Sequence, residues 1–154
     1  MAKACHGPVP AAAAEGAQME RSVDVFFYGL FMEESALREK GIRPANARRA
    51  SVDGFSLRLG ARATLIPDAA RCVHGMLMSL THRDLDQLYA EPSVAAYRPE
   101  AVIARLPEGG SIAALCFNLP MVPAGVQSNS DYAARLQAVA RKLGLPESYI
   151  DTIA

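Results

Sequence analysis

The chain is poor in everything that marks a specialised class of protein. It has three cysteines, Cys5, Cys72 and Cys116, an odd number that cannot make an even disulfide framework. With no secretion signal, they are expected as thiols in a reducing cytoplasm. Charge of one sign is also missing. Sixteen basic residues balance sixteen acidic ones, which gives no footprint for nucleic acid or an anionic membrane. No apolar run reaches bilayer length. Ala11–Ala14 is too short for the core of a signal peptide, and its flanks are wrong for one. Metal-type spacing is absent too. Cys72 and His74, two apart, share one face of a strand, but no second ligand cluster accompanies them. A packed cysteine and a hydrogen-bonded histidine are expected, with no metal. The pair Arg48-Arg49 reads as a solvated strand edge.

What the chain does have is length and pattern for one domain. At 154 residues, 51% of them hydrophobic, it can bury a real core. Met1 to Arg21 are rich in Ala, Gly and Pro without periodicity, which predicts a disordered extension before a single domain over 22–154. Met19 stands just before the structured pattern, so a start at Met1 or at Met19 stays open.

The run VDVFFYGLFM predicts a strand over Val23–Tyr28, then a turn at Gly29 and a short helix over Glu33–Glu39. A strand that runs through glycine into a helix start aims several backbone N–H groups at one point. That arrangement suits a carboxylate or another anion. Arg48–Asp53 and Phe55–Gly60 read as extended pieces on either side of an Asp53-Gly54 turn. Ala63–Pro67 and Val73–Leu80 read as further strands. The second is apolar on both faces and so central. Thr81 caps a short helix over Arg83–Tyr89. Ala101–Leu106 and Ile112–Phe117 form a hairpin across Glu108-Gly109-Gly110. Ser130 or Asp131 caps a helix to Leu143 whose apolar face is Tyr132, Leu136, Val139, Ala140 and Leu143. Gly144 stops it, and Pro146 opens a last short helix. Strands dominate and helices flank them. The expected class is therefore α+β, with a small mixed or barrel-like sheet.

Five of these landmarks, in this order, carry a resemblance. Tyr28-Gly29-Leu30-Phe31, the strand segment DGFSLRLG, the strand CVHGMLMSLT, the segment DLDQLYAEPSVAAYRPEAV and the closing Gly-Leu-Pro-x-x-Tyr resemble the γ-glutamylcyclotransferase-like (AIG2-like) family over about Val23 to Ile150. The resemblance implies that family's fold. It also implies its reaction, in which the α-amine of a γ-glutamyl group attacks its own γ-amide carbonyl. An amine or amino acid leaves, and 5-oxoproline closes. The nucleophile is already tethered, so the protein mainly has to hold the substrate folded back. One carboxylate in a partly apolar pocket can act as base and then acid. The expected partner is a small γ-glutamyl compound, with no cofactor, no nucleic acid and no membrane.

The family pattern Leu-Asp-x-x-Glu-Gly, followed later by a tyrosine, meets a departure. Strict register from Leu85-Asp86 puts Tyr89 where the glutamate belongs, and Glu91 lies two residues beyond. Two readings stay open. Glu91, stiffened by Pro92, is presented to the pocket as the catalytic acid and base. Alternatively, the carboxylate is lost, Tyr89 fills its space, and the domain is a non-catalytic binding module. The resemblance further implies that Tyr28, Gly29, Leu30, Phe31 and Met32 bind substrate, together with Tyr89, Tyr97 and Tyr132. Leu30-Phe31-Met32 stands where relatives carry small polar residues, which implies a more apolar pocket.

Overall fold

The alternating β-branched and aromatic segments close into a barrel. The computed structural model describes residues 20–122 and 128–154. The expected disordered extension and Cys5 lie outside the described residues, save its last two positions. Glu20 is ion-paired with Arg83 at 2.6 Å, two residues before the first strand opens.

Strand β1 (Ser22–Phe27) leads into a 3-10 turn (Leu30–Met32) and helix α1 (Glu34–Arg38). Strands β2 (Ala45–Leu59) and β3 (Ala63–Thr81) follow, then helix α2 (His82–Leu88). After β4 (Arg98–Arg105) and β5 (Ser111–Asn118) come helices α3 (Ser130–Lys142) and α4 (Glu147–Ile150). The strand order is β1-β3-β2-β4-β5, antiparallel except where β1 meets β5 in parallel at Val25 and Leu115 to close the ring. The seams that close the ring are short, two residue pairs between β2 and β4 and one between β1 and β5.

Two expected breaks are not breaks. The Asp53-Gly54 turn and the gap between Pro67 and Val73 lie opposite each other within one long β2–β3 ribbon. Asp53 pairs with Cys72 and Phe55 with Pro67, so four residues of β3, Asp68 to Arg71, face the single residue Gly54. Gly54 takes φ +87, which lets the strand bulge and bend without reversing. The reversal comes later, at Gly60–Arg62.

The core runs through the barrel and under the helices. Val25, Val73, Leu77, Ala104 and Cys116 are completely buried. Strand β3 lies between β1 and β2, and Val73 and Gly75–Met78 are all buried, as the doubly apolar pattern requires. Thr81 caps α2 by accepting from Asp84 N–H at 3.1 Å. Asn129, rather than Ser130 or Asp131, caps α3 by accepting from Tyr132 N–H at 3.1 Å, and it also donates to Gly60 O at 3.0 Å. That second bond pins the start of α3 to the β2–β3 turn. Ala133, Leu136 and Ala140 are the buried face of α3. Gly144 ends it at φ +78, and Pro146 caps α4. Among the described residues no helix is long and apolar enough to cross a membrane.

Candidate functional site

The end of the barrel where β1 and β5 finish and β3 begins holds a cavity of about 260 Å³. Its walls come from five places in the chain. β1 and the turn after it supply Phe26 to Phe31, and the β2–β3 turn supplies Ala61, Arg62 and Ala63. The segment between α2 and β4 supplies Tyr89, Ser93, Val94 and Tyr97, β5 supplies Phe117, and α3 supplies Tyr132.

Aromatic rings give the cavity its character, and hydrogen bonds hold several of them in place. Tyr28 is nearly buried, and its hydroxyl donates to Phe117 O at 2.7 Å, tying β1 to β5. The Tyr97 hydroxyl donates to Ala63 O, tying the α2–β4 segment to β3. The Tyr89 ring stacks on Phe117, with centroids 4.0 Å apart and planes at 13°, and lies 6.4 Å from Tyr97. Stacked pairs of this kind add to ordinary burial and stiffen the wall. The Tyr89 hydroxyl has no protein partner among the described residues. Burial pushes the phenols of Tyr28, Tyr89 and Tyr132 above the ordinary tyrosine range, and that of Tyr97 up to about 12. All four are therefore neutral at physiological pH, able to give a hydrogen bond but not to act as ready bases. Burial, followed by Glu100, pushes the Cys116 thiol up to about 12, so this cysteine is packing rather than a nucleophile.

Gly29 is needed for space. Its backbone is extended, at φ −108, so conformation does not demand glycine. A Cβ there would lie 2.8 Å from Tyr132 Oη. That hydroxyl also accepts a long hydrogen bond, 3.4 Å, from Leu30 N–H. Met32 N–H turns back to Gly29 O at 3.0 Å. Phe31 N–H has no acceptor among the described residues. The loop therefore retains open donors, Phe31 N–H among them, beside a cavity whose lining carries a single formally charged side chain, Arg62.

The structure gathers seven of the residues expected from sequence around this cavity: Tyr28, Gly29, Leu30, Phe31, Tyr89, Tyr97 and Tyr132. Two lie elsewhere. Met32 is buried in the core below the turn. Glu91 is not among the lining residues. Lys40 Nζ donates to both its carboxylate oxygens, at 2.8 and 2.6 Å, and its side chain is 41% exposed. The reason is local. Val94 N–H bonds to Glu91 O and Tyr97 N–H to Val94 O, so two successive turns carry Ser93, Val94 and Tyr97 inward and leave Glu91 on the outer side. Sequence reading missed Arg62, which sits in a three-residue turn with no pattern of its own. It also missed Phe117, which only the β1–β5 closure brings to Tyr89. Among the described residues no group of three or more His, Cys, Asp or Glu side chains is placed to hold a metal ion.

A family model described as "Gamma-glutamyl cyclotransferase, AIG2-like" matches residues 25–134. Among solved structures, a protein titled gamma-glutamyl cyclotransferase superposes with a TM-score of 0.72 at 18% identity, covering 86% of each chain. An uncharacterised protein from Homo sapiens gives 0.72 at 20% identity, covering 87% of each. YkqA from Bacillus subtilis gives 0.69 at 20% identity, covering 91% of this chain and 55% of the other. At these identities the likeness is one of fold. No curated protein sequence matches the chain.

Proposed function

The chain belongs to the γ-glutamyl cyclotransferase, AIG2-like family, and from that premise we propose that it is a small-molecule-binding member that holds its ligand without cyclising it. The observation that carries this reading is the exchange of places around α2. Tyr89 stands in the wall where the family register calls for the acid, packed face to face on Phe117, while the Glu91 carboxylate is taken up by Lys40 outside the lining. Intramolecular aminolysis needs a group that accepts a proton from an ammonium and returns one to the leaving nitrogen. A neutral, buried phenol with a raised pKa is a poor base for the first step. The pocket suits a ligand with an acidic head and a flat or apolar body. The head meets Phe31 N–H and Arg62, and the body lies among the rings. A γ-glutamyl compound with an apolar amide substituent has that form. The free thiols of Cys72 and Cys116 support the reducing cytoplasm as the compartment.

A second reading has one observation in its favour. Lys40 Nζ lies 5.9 Å from the ring centroid of Phe31, so the Glu91–Lys40 pair sits directly behind a cavity wall. Exposed pairs of this kind are worth only about 0–1 kcal/mol, and a small rearrangement would release Glu91 as the catalytic acid and base. A panel of γ-glutamyl dipeptides and γ-glutamylamines, assayed in parallel for thermal stabilisation and for 5-oxoproline release, separates the two. The proposal expects saturable stabilisation without release, unchanged in Glu91→Gln. Release of 5-oxoproline that drops by about 10²-fold in Glu91→Gln would install the enzyme reading instead.

A further inference from the structure

A second depression, of about 380 Å³, lies on the outer surface of the barrel under the α3–α4 junction, away from the aromatic cavity. Its floor is a row of three side chains in register. Ser51 on β2 pairs with His74 on β3 and with Arg105 on β4. Cross-strand partners share one face of a sheet, so imidazole, hydroxyl and guanidinium stand side by side. Arg49, two residues before Ser51 and on the same face, adds a second guanidinium. Strand alternation separates it from Arg48, which turns to Asp24 instead.

Three features make this a built site rather than a chance gathering of charge. First, Ser51 is only 9% exposed and lines the groove, so its hydroxyl is the neutral donor held between the charged groups. Second, both guanidiniums are anchored. Arg49 donates to Gly144 O at 2.8 Å and Arg105 to Asp53 at 2.7 Å. Each keeps further N–H donors beyond the one so used. Third, the tight turn at Gly144 closes over Arg49, and a Cβ there would meet its Nη1 at 3.2 Å. No carboxylate lines the groove; Asp53 reaches Arg105 from its edge.

We propose that this groove binds a tetrahedral dianion, either free phosphate or the head of a phosphate monoester, through Arg49, Ser51, His74 and Arg105. Paired guanidiniums with a neutral donor between them match the charge and the several acceptor oxygens of such a group. The groups facing His74 are Arg105, Asp53, Cys72, with Sγ 3.8 Å from Nε2, and Tyr149, whose ring is 5.2 Å away. Burial first, and then Arg105, hold the imidazole below its ordinary pKa. A dianion placed between them opposes both effects.

The test is titration of the whole protein with inorganic phosphate and, separately, with glycerol phosphate, at pH 8 and constant ionic strength against chloride. Saturable one-to-one binding is expected, weakened about tenfold or more by Arg105→Gln and by Ser51→Ala. That is the scale of one lost hydrogen bond to a charged group. Arg141→Gln, at an exposed residue outside the groove, should bind as wild type does. Tighter binding of glycerol phosphate would assign the site to a monoester, and equal or weaker binding would assign it to the free ion. By proton magnetic resonance, saturating sulfate should raise the His74 pKa, and this readout stays open if a groove variant folds poorly. No saturable binding above the chloride control, or affinity and His74 titration alike unmoved by groove variants and anion, would overturn the proposal.

Discussion

At the scale of single residues, the contact that shapes the cavity mouth is that between Gly29 and Tyr132. The amide of Leu30 and the missing Cβ of Gly29 together make room for one hydroxyl, brought from 102 residues away by α3. Gly29→Val puts carbon into that space. Because the obstacle is the far end of a side chain, the domain should still fold, at an overpacking cost of about 1–3 kcal/mol, while the cavity mouth is blocked and ligand stabilisation disappears. A double-mutant cycle isolates the cause. Gly29→Ala should cost less in a Tyr132→Phe background than in wild type, measured by urea denaturation, since removing Oη vacates the 2.8 Å contact. Equal costs would mean that the glycine answers to something other than the tyrosine. Residues of this kind were only half legible in the sequence. Tyr28-Gly29 and the tyrosines at 89, 97 and 132 stood out by type and position. That Glu91 meets Lys40 did not, because the two turns that send it outward are made by backbone bonds of ordinary residues.

At the scale of elements, the close approach of β1 to its antiparallel neighbour β3 is the tightest point of the barrel. Gly75 sits in the middle of β3, where an added Cβ would lie 2.2 Å from Phe27 O and 2.9 Å from the Phe26 ring. A backbone carbonyl held in a ladder cannot swing aside as a side chain can, so Gly75→Ala must separate the strands. The expected loss is at the upper end of the overpacking range, about 3 kcal/mol or more, read as a lowered urea midpoint. Gly54→Ala meets no atom within 4 Å and is strained only by its φ of +87, so it should cost less. The reverse order would place the critical close approach at the bulge. The sequence showed both glycines but not their roles. Asp53-Gly54 carries the local signature of a hairpin turn, and the residues opposite it, Asp68 to Arg71, look like a loop. Only their pairing across the ribbon, a contact between distant segments, turns two local interruptions into one bulge in two continuous strands. The helices, whose caps and stops are local, are legible nearly to the residue, except that α3 is capped by Asn129 and not by Ser130 or Asp131.

For the whole molecule, the unusual quantity is how its phenols are stored. The chain has five tyrosines and burial raises the pKa of every one, Tyr97 to about 12. Four surround the cavity, and Tyr149 packs on His74 at the opposite face of the sheet. In the unfolded chain each would ionise near pH 10. The sign follows from which state holds its protons more tightly. Below about pH 10 both states are protonated, and the full stability is present. Above it the unfolded chain gives up protons that the folded one retains, so stability falls as pH rises through the folded values. The melting temperature should therefore stay nearly level from neutrality to about pH 9.5 and then drop steeply. Phenolate absorbance should appear together with unfolding rather than as a separate titration near pH 10. Tyr149→Phe supplies the control. Its hydroxyl is buried, with no well-formed hydrogen bond among the described residues and only the His74 backbone near it, so its removal should change stability at pH 7 little and make the alkaline drop shallower. A phenolate signal near pH 10 that accounts for all five tyrosines while near-ultraviolet dichroism stays native would show that the rings are open to solvent. It would also withdraw the neutral, aromatic pocket on which the binding reading rests.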